Sequence, residues 1–142
     1  MEILSAANYS DSVKGILEAE KLPVSDLPQN LEDFSVAIEN NETLGVAGLE
    51  IYGNYALLRS LAVKARFRGR GIAGRLLEQI EALALSKGVD IIYLLTETAP
   101  EYFEKQGFVQ ISRADVPAEI QKSSEFSYVC PQSAAVMKKT LK

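Results

Sequence analysis

Alternation of apolar with small or polar residues predicts an antiparallel meander in the middle of the chain. The alternation is clear over 34–38, which we interpret as a half-buried strand. Asn40-Asn41 is a turn signal that leads to a second strand over 43–52. Gly53-Asn54 is another, and it leads to a third strand over 55–63.

A strand and a helix are predicted before the meander. Residues 1–5 read as a short strand, and Asn8 or Ser10 is a candidate cap for a helix that runs to about Lys21. The prolines that follow predict a loop or a single helical turn, ending near Glu32.

After the meander the apolar residues recur at helical spacing. Ile72, Leu76, Ile80 and Leu83 form one stripe, and Gly88 is a typical helix end.

Shorter elements complete the chain. Residues 90–95 are apolar on both faces, as in a central strand covered by helices. A short helix over 99–106 and strands over 108–111 and 134–141 follow. The order β-α-β-β-β-α-β-α-β-β predicts one α/β (α+β) domain over 1–142, with helices on both faces of a mixed, mostly antiparallel sheet.

Composition excludes several classes of protein. The net charge of −4 argues against nucleic-acid binding. The single cysteine, Cys130, cannot form an intrachain disulfide. The first residues lack the basic start and apolar stretch of a signal peptide, and the longest uncharged run, 126–137, is too short to cross a bilayer. We therefore expect a cytoplasmic protein without membrane or metal partners.

Positive charge is concentrated in one window. Residues 51–77 contain no Asp or Glu but hold six of the fifteen Lys and Arg residues, which are Arg59, Lys64, Arg66, Arg68, Arg70 and Arg75. A solvated charge run is one interpretation. The glycines in the same window favour a second interpretation, a site for one anion.

The candidate anion site is the segment Arg68-Gly69-Arg70-Gly71-Ile72-Ala73-Gly74, between a strand and an amphipathic helix. Glycines let the backbone approach a ligand closely, and the first amides of a helix have no intrahelical partner. A pyrophosphate is the natural occupant of such a turn. The alternative is a tight connection with glycines that serve helix packing. The spacing is neither that of a Walker loop nor that of a dinucleotide-binding fingerprint.

The segment over 68–73 resembles the Arg/Gln-x-x-Gly-x-Gly/Ala signature of the GNAT acetyltransferases, and the element order resembles their fold. The resemblance implies acetyl-coenzyme A as the cosubstrate and a splayed pair of fourth and fifth strands. It places the amides of residues 68–74 around the pyrophosphate. It also places Leu61, Ala62 and Val63 beside the pantetheine arm and the acetyl group.

A second segment, 96–108, resembles a GNAT pattern in which an Asn is followed by Ala and by Glu-Lys-x-Gly-Phe. The matching residues are Ala99, Glu104, Lys105, Gly107 and Phe108. Two positions depart from the pattern. Thr96 replaces the Asn, and Phe103, which the resemblance places beside the cofactor, stands where many members have the tyrosine that protonates the thiolate.

The proton-transfer groups are not fixed by the pattern. The chain has no histidine, so a base must be a carboxylate, a tyrosine or ordered water. Position 57, where some relatives carry a catalytic glutamate, is leucine. Glu97 and Glu50 are the remaining carboxylate candidates, each with a surface charge as the alternative. Tyr102 neighbours the usual acid position and is the candidate acid.

Residues 57–63, 94–99 and 130–134 further resemble the arsenic-resistance N-acetyltransferases, a GNAT branch related to N-acetylglutamate synthase domains. This resemblance implies a small amino-acid-like acceptor, with arsenical glutamate mimics among the compounds that would fit. Arg59 would hold a substrate carboxylate, unless it forms a structural ion pair. Thr96 and Ser133 are further candidate substrate residues.

Two classes of function follow. The first is an acetyltransferase that acts on a small-molecule amine. The second is a sensor that binds acetyl-coenzyme A without catalysis, because the tyrosine and the glutamate of the pattern are missing. A protein-lysine acetyltransferase is disfavoured, since an arginine in the acceptor site would repel the lysine side chain. Residues 126–137 are a candidate homodimer surface.

Overall fold

The computed structural model describes residues 1–123 and 134–141. Its strands and helices alternate much as the apolar pattern predicts. In chain order they are β1 (Glu2–Ser5), α1 (Ser10–Ala19), β2 (Phe34–Glu39), β3 (Glu42–Tyr52), β4 (Tyr55–Val63), α2 (Ile72–Ser86), β5 (Ile91–Thr96), α3 (Pro100–Lys105), β6 (Val109–Ile111), α4 (Ala118–Gln121) and β7 (Ala135–Thr140).

The seven strands are hydrogen-bonded in the order β1-β2-β3-β4-β5-β7-β6. β4 and β5 are parallel and pair through Tyr55–Leu57 of β4. The pairs β1-β2, β2-β3, β5-β7 and β6-β7 are antiparallel. This confirms the predicted α/β fold with a mixed, mostly antiparallel sheet. The apolar pattern did not indicate that β7 lies between β5 and β6.

Contacts divide the chain into two compact units. The first comprises Met1–Leu49 and Arg59–Leu83. Its core forms where one face of α1 packs on β2, β3 and β4, and it includes Val13, Ile16, Leu17, Leu31, Phe34, Val36, Val46 and Ala62. Gly48 leaves room for the Phe34 ring, because a Cβ at this position would lie 2.4 Å from the ring.

The second unit comprises Glu50–Leu58 and Ala84–Lys142. Its core contains Leu57, Tyr93, Val116, Ile120 and Val136. Tyr93 and Tyr55 meet edge to face, with ring centroids 6.0 Å apart. Burial first, and the neighbouring Tyr55 second, raise the pKa of the Tyr93 hydroxyl.

Both predicted hairpin turns are confirmed. Asn40 and Asn41 have φ angles of 52° and 63°, the left-handed values that a type I′ turn requires at both central residues. Gly53 has a φ of 63° at the first position of the β3-β4 turn. The predicted ends of α2 and α3 at Gly88 and Gly107 are confirmed in the same way, with φ values of 81° and 96°.

The predicted cap of α1 was wrong. Ser10 is the first residue of the helix, and Tyr9 occupies the cap position without a side-chain hydrogen bond. Asn8 ends a 3₁₀ turn over Ala6–Asn8, in which the Ser5 hydroxyl accepts a hydrogen bond from the Ala7 amide. This turn sets the entry into the helix and leaves neither predicted residue at the cap.

The short helix α4 was not predicted. It has four residues, fewer than a periodic pattern needs, and it is anchored by Ile120 in the second core. No helix within residues 1–123 and 134–141 is long and apolar enough to span a membrane.

Candidate anion-binding site

The predicted anion-binding segment lies between β4 and α2, in the first unit. After β4 the Lys64 amide donates to the Leu44 carbonyl of β3, with N and O 2.8 Å apart. A 3₁₀ turn over Ala65–Phe67 follows, and α2 begins at Ile72. We call residues 68–74 the phosphate loop.

Two glycines hold the phosphate loop in a conformation that other residues rarely adopt. Gly69 has a φ of 81° and Gly71 a φ of 76°. A Cβ would meet no atom within 4 Å at either position, so space does not demand glycine there. The requirement for glycine is conformational, because L-residues with side chains disfavour this region of φ.

The start of α2 leaves the first backbone amides of the helix without acceptors inside the helix. The Arg75 amide donates to the Gly71 carbonyl at 3.2 Å, as expected for the first hydrogen bond of the helix. The amides of residues 71–74 precede that bond and belong to the part of a helix that lacks intrahelical acceptors. Ile72, 3% exposed, anchors this first turn. A helix start of this kind has the backbone amides and the positive dipole end that an anion site requires, so the anion-binding role of the loop stays a prediction.

A bulge alters β4 just before this site. The two-residue turn places Tyr52 opposite Tyr55, and further along the hairpin Lys64 is bonded to Leu44. Leu44 lies eight positions from Tyr52, but Lys64 lies nine positions from Tyr55, so β4 contains one extra residue. Ser60 is the extra residue, because its φ of 60° interrupts the extended backbone of the strand. The bulge separates Tyr55–Leu57, which pair with β5, from the predicted cofactor residues 61–63. Of these, Ala62 is buried, and Leu61 and Val63 are partly exposed.

The positive charges of this region are paired with carboxylates from other parts of the first unit. Arg68 pairs with Glu20, and its Nε donates to the Val63 carbonyl at 3.3 Å. Arg70 pairs with Glu39 at 3.2 Å. Lys64 and Arg66 both pair with Glu42. The glutamates that pair with these four cations thus lie 22 to 48 residues away in sequence.

Arg59 is held by a bidentate ion pair. Its Nη1 and Nη2 donate to the two carboxylate oxygens of Asp26 at 2.8 and 2.9 Å, and its Nε donates to the Ser60 hydroxyl at 3.0 Å. The side chain of Arg59 is 0% exposed and that of Asp26 is 9% exposed. The structure thus describes the structural ion pair that the sequence left as an alternative. A substrate carboxylate could use this fork only by displacing Asp26, so the substrate role of Arg59 stays a prediction.

The candidate residues of the second unit lie around α3. The Thr96 hydroxyl accepts a hydrogen bond from the Ala99 amide at 3.1 Å, which shapes the turn into α3. Glu97 is exposed, and Phe103 is buried against Phe108. Tyr102 is partly buried and meets Phe103 edge to face at 5.3 Å. Burial raises the pKa of the Tyr102 hydroxyl, so it remains protonated at neutral pH.

Glu50 forms a hydrogen bond with another residue of β3. Its carboxylate accepts a hydrogen bond of 2.5 Å from the Tyr52 hydroxyl. Counting from the β3-β4 turn places Glu50 opposite Leu57, whose side chain is fully buried in the second core. Ser133 and Cys130, together with most of the candidate dimer segment 126–137, lie outside the described residues.

These features define an α/β domain with left-handed glycines immediately before a helix N-terminus. A family model described as an acetyltransferase (GNAT) domain matches residues 30–110. Because the match covers more than half of the chain, the protein belongs to the GNAT acetyltransferase family. The predicted family, one of acetyltransferases, is confirmed.

Individual relatives are similar over parts of their length. The chain is 31% identical over 101 residues to an uncharacterised N-acetyltransferase of Chlorobaculum tepidum, covering 70% of this chain and 64% of that protein. It is 30% identical over 98 residues to an amino-acid acetyltransferase of Ralstonia nicotianae, covering 68% of this chain and 22% of that protein. The chain thus spans less than two thirds of either relative.

The fold is also similar to that of N-acetylglutamate synthase from Neisseria gonorrhoeae, solved in complex with coenzyme A and N-acetyl-glutamate. The TM-score is 0.85 at 18% identity, over 99% of this chain and 35% of that one. This similarity supports the fold of the present chain.

Removing the acidic partner of Arg59 should destabilise the protein strongly. Asp26→Ala removes a bidentate carboxylate from a buried guanidinium, and we expect a loss of about 3–5 kcal/mol in the free energy of unfolding. Urea denaturation measures the loss. Glu18→Ala, at an exposed residue of α1, is the control and should change stability by no more than about 0.5 kcal/mol. A loss below about 1 kcal/mol for Asp26→Ala would show that the pair contributes little.

Proposed function

We propose that this chain is a single acetyltransferase domain over residues 1–142 that moves an acetyl group from acetyl-coenzyme A to the amine of a small amino-acid-like acceptor. The observation that carries the proposal is the phosphate loop, in which left-handed glycines precede the free amides of α2. Acetyl-coenzyme A is the cosubstrate, in agreement with the family and with the coenzyme A in the similar solved structure.

Two segments of the first unit bind the cosubstrate in this proposal. The amides of residues 68–74 bind the pyrophosphate, and Arg68 and Arg70 add positive charge beside it. Residues 61–63, beyond the bulge at Ser60, line the pantetheine arm. A backbone amide of this segment polarises the thioester carbonyl, and a donor of that kind is typically worth about 3 kcal/mol in the transition state.

The reaction requires only one bond exchange. The neutral amine nitrogen attacks the carbonyl carbon, an N–C bond forms, and the C–S bond breaks. The amine loses one proton to a base, and the departing thiolate gains one. Because a thiolate is already a fair leaving group, positioning supplies much of the rate, with effective molarity worth roughly 7–11 kcal/mol.

Tyr102 is the proposed proton donor to the thiolate. Phe103, at the usual acid position, has no proton to give, whereas the Tyr102 hydroxyl is protonated at neutral pH, as any tyrosine is, and burial raises its pKa further. Glu97 is the proposed base. Glu50 is the alternative, with the hydrogen bond from Tyr52 fixing the position of its carboxylate.

The class of acceptor is inferred from relatives and from the sequence. One relative is named an amino-acid acetyltransferase, and the similar solved structure contains N-acetyl-glutamate. Thr96 and Ser133 are the proposed contacts to such an acceptor, with Arg59 as a further candidate. Arsenical mimics of glutamate belong to the same chemical class.

An acceptor panel tests this proposal. Release of the coenzyme A thiol should be fastest with amino acids that carry a side-chain carboxylate or a mimic of one, such as glutamate and its arsenical and phosphonic analogues. Simple alkylamines of the same length are the control and should react at least about tenfold more slowly. Equal rates would contradict the acceptor class. Coenzyme A binding without turnover on any acceptor would favour the sensor.

The role of the phosphate loop predicts a selective defect in cosubstrate binding. Gly71→Ala should raise the KM for acetyl-coenzyme A about tenfold or more, because alanine disfavours the φ of 76° that orients the amides. The kcat at saturation should change little.

Gly53→Ala is the matched control for this variant. It introduces the same conformational strain, at a φ of 63°, in the β3-β4 turn. Both variants should lose about 1–2 kcal/mol of stability, but Gly53→Ala should leave the KM within about twofold of the wild-type value. An equal change in KM for both variants would contradict the assignment of the loop.

A further inference from the structure

Three glutamates pair with basic side chains of residues 64–70, a segment that includes the start of the phosphate loop. Glu20 follows α1, Glu39 ends β2 and Glu42 begins β3. They pair respectively with Arg68, with Arg70, and with Lys64 together with Arg66. All of these residues belong to the first unit. Three separate elements therefore supply carboxylates to one short basic segment.

The position of Glu39 and Glu42 is unfavourable for the hairpin that carries them. The two residues lie directly opposite each other next to the Asn40-Asn41 turn. Like charges in a cross-strand pair repel and destabilise a hairpin. The cations of the basic segment offset that repulsion, and at Glu39 the amino group of Met1, 3.7 Å away, does so too. The two glutamates are therefore better explained by the cations that they contact than by the stability of the hairpin.

An aromatic ring keeps two of these arginines in place. The guanidinium carbon of Arg66 lies 4.8 Å from the centroid of the Phe67 ring, and that of Arg70 lies 5.6 Å from it. Cation–π contacts at this range favour retention of the guanidinium groups near the ring. Glu39 thus faces an arginine whose position does not depend on the carboxylate alone.

A phosphate would compete for the same guanidinium groups. Arg68 and Arg70 have side chains that are 56% and 46% exposed, so their ion pairs are screened by water and can be exchanged. A phosphate group that approaches the loop meets the carboxylates of Glu20 and Glu39 as well as the arginines. Each carboxylate opposes it by occupying a donor and by repelling the negative charge.

We infer that Glu20 and Glu39 act through Arg68 and Arg70 as counter-charges that lower the affinity of the loop for the phosphates of coenzyme A. This inference rests on the proposed function. It makes the two glutamates positioning residues that weaken cosubstrate binding, and the same competition speeds the release of coenzyme A after transfer. Their removal therefore changes KM and not the chemical step.

Calorimetric titration with coenzyme A tests the inference on the full chain. Glu20→Gln and Glu39→Gln keep the size and hydrogen-bonding capacity of the side chain while they remove its charge. Each should tighten coenzyme A binding about two- to fivefold, the range expected for an exposed ion pair. The KM for acetyl-coenzyme A should fall by the same factor, with kcat unchanged. A merely structural role of either glutamate would not lower KM.

The control is Glu18→Gln, at an exposed residue two positions before Glu20. It changes the net charge equally and should leave the Kd within error of the wild-type value. If Glu18→Gln tightened binding as much as Glu20→Gln, the effect would be one of total charge, and the inference would be overturned. Weaker or unchanged binding by both Glu20→Gln and Glu39→Gln would overturn it as well.

A double-mutant cycle separates the ion pair from other effects. In an Arg70→Ala background, Glu39→Gln should lose most of its benefit, since its carboxylate no longer occupies a guanidinium group. A full benefit in that background would overturn the inference for this pair. The proposed function fails separately, because wild-type protein that bound no coenzyme A at millimolar concentration would contradict the anion site itself.

Discussion

The left-handed backbone at Gly69 and Gly71 is the constraint on which the anion site depends. With φ values of 81° and 76°, these glycines lead the chain from the 3₁₀ turn after β4 into the start of α2. The amides of that start remain available because the first intrahelical bond is made by Arg75. Ile72, buried below the first turn, fixes the direction of the helix. The proposed ligand site and the fold therefore depend on the same few backbone angles.

Charge in the first unit is balanced locally. Arg59 and Asp26 form a buried bidentate pair, in which the loss of either residue would remove a buried counter-charge from the other. Arg68 and Arg70 form exposed pairs that an anion can replace. The same residue type therefore forms a structural pair where it is buried and exchangeable pairs where it is exposed.

The apolar pattern was sufficient to predict most of the strands and helices, because 3.6- and 2-residue periods report directly on burial. It was insufficient for α4, which is too short to show a period, and for the position of β7 between β5 and β6, which is set by long-range pairing. The positive φ at Ser60 could not be predicted from the sequence, because positive φ values in turns are typical of glycine and asparagine and not of serine.

The turn at residues 68–74 could be predicted because its requirement for glycine is local and it leads into a helix start, whereas its binding of a phosphate stays a prediction. The partners of its arginines could not be predicted, because Glu20, Glu39 and Glu42 are distant in sequence. Asp26, the partner of Arg59, lies in a proline-flanked loop that no periodic pattern describes.

The most direct test of the account is the amide spectrum of ¹⁵N-labelled protein titrated with coenzyme A and, separately, with pantetheine. If the amides of residues 69–74 bind the pyrophosphate, coenzyme A should shift their signals saturably, and pantetheine, which lacks that group, should leave them in place. Shifts of equal size with both ligands, or coenzyme A binding that left these amides unchanged, would contradict the account.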